Sequence, residues 1–118
     1  MNRDYLDKEL ELLHERIFPA LSHPLRMKIP YLLDEKSLNV GELTAEIGIP
    51  QSSVSQHLRV LRERGLVWAE RQRTTIWYAL AEPELTTVID ILRRILGRHL
   101  ESHLDQAQTF LGILPEEA

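Results

Sequence analysis

The 118-residue chain predicts a mainly α fold with one small β-hairpin, on three observations. Apolar residues recur every three or four positions through most of the sequence, the helical period. Near residues 66–80 that period gives way to two short runs rich in β-branched and aromatic residues around a polar stretch. Past Pro83 the helical period resumes and holds for more than twenty residues.

The first helix is expected from about Tyr5 to Phe18, where Leu6, Leu10, Leu13 and Ile17 share one side and charged residues the other. Ser22 and Pro24 suit the start of a second helix carrying Leu25, Ile29, Leu32 and Leu33. Pro30 falls inside it and predicts a kink or a late start, since proline lacks the amide donor and crowds the carbonyl of Arg26. Asn39 and Glu42 have the spacing of a capping box, with Asn in place of the usual Ser or Thr, and open a short helix from Val40 to about Ile47. Gly48 ends it, because glycine tolerates the left-handed conformation that follows a helix. A further helix is expected from Gln51 to Arg64, holding Val54, Leu58 and Leu61 on one side and ending at Gly65. Short helix, tight glycine turn and second helix make a helix-turn-helix.

Leu66–Glu70 and Thr75–Leu80 read as hairpin strands flanking Arg71, Gln72, Arg73 and Thr74. The loop lacks Asn-Gly and Asp-Gly, so turn type and register stay open. Trp68, Trp77 and Tyr78 are assigned to hairpin and core packing. Pro83 precedes a last helix from about Glu84 to Phe110, striped by Leu85, Val88, Ile89, Leu92, Ile95, Leu96, Leu100 and Leu104, and the tail from Pro115 is expected to fray.

Length and composition place this in one domain, 1–118. A hydrophobic fraction of 43% and a charged fraction of 27% are those of an ordinary globular protein. Cysteine is absent, which excludes disulfides, thiolate metal sites and thiol redox chemistry. No apolar run is long enough to cross a bilayer and the charged N-terminal stretch has no signal-peptide pattern, so no membrane association and a cytoplasmic location are expected.

A formal net charge of −4 argues, taken alone, against a nucleic-acid partner, but the distribution of charge points the other way. Between Gln51 and Arg73 five arginines, Arg59, Arg62, Arg64, Arg71 and Arg73, face only Glu63 and Glu70. The field near a contact decides binding, so a basic surface on an acidic body is compatible with double-stranded DNA.

A helix that enters the major groove needs short polar side chains near its N-terminus, where they meet base edges while free amides meet phosphate. Gln51, Ser52, Ser53, Ser55, Gln56 and His57 supply them, with Arg59 a turn further on. Gln56 both donates and accepts, as adenine requires, whereas the serines suit phosphate or either base. At the hairpin tip Arg71, Arg73, Thr74 and Thr75 suit phosphates or an adjacent minor groove, making the hairpin a wing. Solvation explains any one of these residues singly. The ordered combination of turn, serine-rich helix start and basic hairpin is far more specific.

The sequence closely resembles the ArsR/SmtB family of bacterial winged helix-turn-helix repressors. The matching stretches are Ala20–Arg26, Gly41–Thr44, Gln51–Leu61, Arg64–Val67 and the hairpin end Trp77–Leu80, and the resemblance spans nearly the whole chain. It implies a homodimer whose first and last helices, about 1–20 and 84–111, pair across a two-fold axis, around a DNA-binding core and wing at 40–80. Leu6, Leu10, Leu13, Leu85, Ile89, Leu92, Leu96 and Leu100 are the expected interface. The stripe of the last helix supports this independently, since a monomer would leave too much apolar surface in water. Two-fold symmetry then predicts an inverted-repeat operator.

Many relatives release DNA on binding metal, and the resemblance gives the positions to inspect. Where one subgroup carries cysteines this chain has Asn39 and Gly41, and where another carries acid and histidine ligands it has Glu82, Glu84, Ile95 and Arg98, which cannot complete a zinc shell. His99 and His103, four apart on the last helix, are the remaining metal candidates, with His14 or symmetry mates as further donors; interface histidines are the favoured reading. No cofactor is expected, and a small-molecule or metal effector stays unidentified. No P-loop, dinucleotide fingerprint, cysteine nucleophile or nucleophile elbow points to an enzyme. The alternative function is a winged-helix module that binds a protein instead of an operator.

Overall fold

The computed structural model describes residues 2–112 and divides into two compact units, one running to Thr86 and one beginning at Thr87. In the first unit lie α1 (Arg3–Arg16), a 3₁₀ turn (Phe18–Leu21), α2 (Pro24–Glu35), β1 (Leu38–Asn39), α3 (Val40–Ile47), α4 (Gln51–Glu63), β2 (Val67–Gln72) and β3 (Thr75–Leu80). The last helix, α5 (Glu84–Phe110), starts there and makes up most of the second. The tail from Pro115 lies outside the described residues.

Local chemistry sets each boundary. Asn2 Oδ1 accepts from the amides of Asp4 (2.9 Å) and Tyr5 (3.4 Å), so α1 begins two residues earlier than its apolar pattern suggests. It also ends earlier, because the chain tightens into the 3₁₀ turn around Pro19. The cap of α2 is not Ser22, whose hydroxyl donates to Pro19 O at 2.7 Å, but His23, whose Nδ1 accepts from Leu25 N at 3.1 Å. The expected late start at Pro30 does not occur. The helix runs through it, and Ile29, Pro30 and Leu33 are all buried, so packing offsets the roughly 3 kcal/mol that an interior proline costs.

The capping box of α3 is present in both directions. Glu42 N donates to Asn39 Oδ1 at 2.8 Å and Asn39 N donates to Glu42 Oε1 at 3.1 Å. Gly48 terminates the helix at φ +80°, as a left-handed cap requires. Helix α4 closes in a Schellman motif, with Leu66 N donating to Leu61 O (2.9 Å), Gly65 N to Arg62 O (3.0 Å) and Gly65 at φ +76°.

The sheet has a strand the sequence pattern misses. Its antiparallel order is β1-β3-β2, with Leu38 opposite Tyr78 and Asn39 opposite Trp77. Two residues are too few to show an alternation. The hairpin is longer than expected: Gln72 pairs with Thr75, leaving only Arg73 and Thr74 as its loop. Its outer face corrects the packing assigned to Trp68, which is 66% exposed, while Trp77 and Tyr78 are half-buried.

Ile29, Leu43, Val54, Leu58 and Leu61 are fully buried and form the centre of the core. Leu85 and Ile89, expected in the subunit interface, are already buried in the single chain, because apolar residues of the first turns of α5 leave water without a second copy. The remaining expected interface residues stay open: Leu10, Leu13, Leu92, Leu96 and Leu100 are exposed and Leu6 is half-buried.

Truncating Leu58 to Ala leaves a methyl-lined void behind the second helix of the motif. Urea unfolding of this variant is expected to show a loss of about 3 kcal/mol.

Candidate nucleic-acid interface

Helix α4 turns about 100° per residue, which places Val54, Leu58 and Leu61 on one buried side. Ser52, Ser55, Gln56 and Arg59 are exposed and gather within about 100° of arc on the opposite side. Gln51 is exposed at one edge of that group; Ser53 and His57 lie half-buried on the other flank. The structure therefore brings together four of the seven residues expected on this helix and turns two of them partly inward. Pro50 precedes the helix and its carbonyl accepts from Ser53 N (3.0 Å) and Val54 N (3.2 Å), and among the described residues no side chain caps the amides of Gln51 and Ser52 ahead of them.

At the wing tip Arg71, Arg73 and Thr74 are exposed and Thr75 is half-buried. Arg73 has φ +61°, the left-handed region where glycine is the usual occupant. An L side chain there carries a backbone cost that glycine would not. Between α4 and the wing a cleft of about 420 Å³ is lined by Asn39, Val40, Ser55, Thr74, Thr75, Ile76 and Tyr78. It joins the two groups read separately in the sequence, and Asn39 and Tyr78 are additions that the unforeseen strand pairing brings there. Arg59, Arg62, Arg64, Arg71 and Arg73 are all exposed, and none forms an ion pair among the described residues.

His57 has its own partners. Arg26 Nη1 lies 3.1 Å from His57 Nδ1, and the rings of His23 and His57 are 4.3 Å apart at 42°. Burial first, then the charges of His23 and Arg26, hold the pKa of His57 below the usual 6.5. The folded state thus favours neutral imidazole. The corresponding stability is complete above pH 6.5 and is lost as pH falls through the lower folded value.

On α5 the rings of His99 and His103 sit 3.9 Å apart, but no group of three or more His, Cys, Asp or Glu residues is placed to hold a metal among the described residues. His14 is exposed on α1. No described helix is long and apolar enough to cross a membrane.

Comparison with known proteins accounts for this arrangement. The pattern of the bacterial regulatory proteins of the arsR family matches residues 23–68, from the start of α2 into β2. The biofilm growth-associated repressor of Xylella fastidiosa is 36% identical over 95 residues, covering 80% of this chain and 82% of the relative. The chain belongs to the arsR family. The crystal structure of that Xylella repressor, BigR, superposes with a TM-score of 0.68 over 80% of this ArsR-family chain and 96% of its own. The transcriptional activator HlyU of Vibrio cholerae is 34% identical over 79 residues, covering 67% of this chain and 73% of the activator. A homodimeric winged helix-turn-helix DNA-binding domain from Mycobacterium bovis is 26% identical with a TM-score of 0.67, covering 82% of this chain and 90% of that one. The fold here is accordingly a winged helix-turn-helix, with α3 and α4 as the motif, β2 and β3 as the wing and the family's proteins being transcriptional regulators rather than enzymes.

Replacing Arg73 by Gly separates strain from charge. Thermal denaturation is expected to show a gain of about 1 kcal/mol, while titration with duplex DNA shows weaker binding to all sequences and a shallower salt dependence.

Proposed function

We propose that this ArsR-family chain is a repressor that binds an inverted-repeat operator in double-stranded DNA as a homodimer. The observation that carries the reading is the two-sidedness of α4: Val54, Leu58 and Leu61 are fully buried while Ser52, Ser55, Gln56 and Arg59 face water from the opposite side. Evolutionary kinship with a repressor supports the direction of control, and polar and cationic contacts to the duplex supply its physical basis.

Gln56 offers an acceptor and two donors, enough to read an adenine edge bidentately. Ser52 and Ser55 take phosphates or either base, with Gln51 and Ser53 at the margins, and the open amides of the first α4 turn add a partial positive charge toward the backbone. Arg59 grips phosphate from further along the helix. Arg71, Arg73, Thr74 and Thr75 place the wing against the adjoining backbone or minor groove. His57 acts through its partners on α2.

The homodimer reading rests on uncovered apolar surface. Helix α1 buries no residue of its own, although a 14-residue helix is marginal without packing. Along α5, Val88, Ile91, Leu92, Ile95, Leu96, Leu100 and Leu104 are each 44–58% exposed. Covering these faces with a second copy removes a liability that one chain cannot. The two wings and recognition helices then meet successive turns of DNA, which is why the operator is an inverted repeat.

Gln56→Ala is expected to lower the preference for a duplex selected from a random library by about tenfold over unselected duplex, and to leave the salt slope unchanged. Fluorescence anisotropy at two salt concentrations measures both quantities. Leu96→Glu is expected to shift sedimentation toward monomer and to abolish tight operator binding together with it. A wild-type protein that sediments as a monomer, or ignores duplex at low ionic strength, overturns the reading.

A further inference from the structure

The guanidinium of Arg26 spans two parts of the molecule that the DNA-contact residues leave unexplained. Its Nε donates to Ala20 O at 2.8 Å and its Nη2 to Pro19 O at 3.4 Å, so two of its arms hold the carbonyls of the 3₁₀ turn. The third arm, Nη1, meets Nδ1 of His57 on α4 at 3.1 Å. Arginine only donates, so Nδ1 of His57 accepts and the single proton of the neutral ring sits on Nε2. The His57 ring also lies against His23, whose own Nδ1 accepts from Leu25 N and caps α2. The α4 helix is therefore fastened to the start of α2 by a bond that exists in one tautomer of one histidine.

We propose that Arg26 is a positioning residue for DNA recognition, seating α4 through His57 Nδ1, and that protonating His57 unfastens the helix and weakens operator binding. This rests on α4 being the reading helix. An imidazolium has no acceptor to offer and stands beside a permanent cation, so the bond turns into a repulsion. Among the described residues, the charged and titratable groups that act on His57 are His23 and Arg26, both at or near the start of α2, and neither is a carboxylate that could compensate an added positive charge. The ring's burial and these two neighbours keep it neutral at pH 7 and place the change below pH 6.5. The direction is the opposite of an ordinary histidine at a DNA surface, where an added positive charge tightens phosphate binding.

The test uses the full chain and a duplex selected from a random library by the wild-type protein at pH 7.5, with unselected duplex alongside, titrated from pH 7.5 to 5.5 at constant ionic strength. Wild type is expected to lose selected-duplex affinity below pH 6.5 without a parallel loss on unselected duplex. His57→Asn keeps an acceptor near the Nδ1 position and does not titrate, so its affinity is expected to be flat over the same range. Arg26→Gln is expected to bind the selected duplex roughly tenfold more weakly at pH 7.5, the size expected for losing a hydrogen bond to a charged group, with its salt slope retained. Imidazole ¹⁵N spectra give a readout that a merely structural role would not move: His57 shows a bare Nδ1 and a protonated Nε2 in wild type, and mixed tautomers in Arg26→Gln. Affinity that rises on acidification, a fall of equal size in His57→Asn, or a protonated Nδ1 at neutral pH overturns the proposal. Absence of any duplex binding by wild type at pH 7.5 instead overturns the reading of α4 on which it stands.

Discussion

The rest of this structure depends on the burial of one side of α4. Val54, Leu58 and Leu61 are removed completely from water, and they are spaced so that the opposite side of the helix must face out. That side has no packing to do, and its residues are free to be chosen for what they meet outside the protein. Two short hydroxyls, one amide and a single arginine, unpaired among the described residues, sit there where a structural helix would carry long charged pairs. Reading DNA with a helix is a matter of rigid placement, since a bidentate contact tolerates little misalignment, and the core on the far side supplies that rigidity.

Electrostatics is arranged around the same helix. The chain is acidic as a whole, yet five arginines between residues 59 and 73 are exposed and unpaired with acids among the described residues. Leaving cations unpaired carries little cost at the surface, because exposed ion pairs contribute little to stability. The acidic remainder discourages indiscriminate adhesion to nucleic acid elsewhere on the molecule. Arg26 differs from these five: it is tied to backbone carbonyls and to His57, and its charge works inside the protein.

Much of this was legible in the residues because each signal was local. The Asn39–Glu42 box, the glycine at 48 and the three-four spacing of Val54, Leu58 and Leu61 act within one or two helical turns, and the boundaries of α3 and α4 follow from them. What stayed hidden depended on distant partners. The strand Leu38–Asn39 exists only because β3 offers it an edge, and two residues carry no period of their own. His57 reads as one more polar residue in a serine-rich stretch until folding brings Arg26, thirty-one positions away, against it. Leu85 and Ile89 look like the start of an interface stripe because periodicity tells which side of a helix is apolar and not which body covers it. At Pro30 the late start that local preference favours gives way, since burial of its neighbours carries α2 through a residue that disfavours it.

Asn39 ends a strand and begins a helix at the same residue. Its backbone pairs with Trp77 of β3 while its side chain closes the first turn of α3, so no linker separates the sheet from the helical pair. Flexible hinges let a protein adjust the distance between two points of grip; here that adjustment is denied. In the proposed reading, a duplex whose groove is too wide or too narrow deforms to satisfy hairpin and helix together, and the energy of that deformation contributes to how one sequence is told from another.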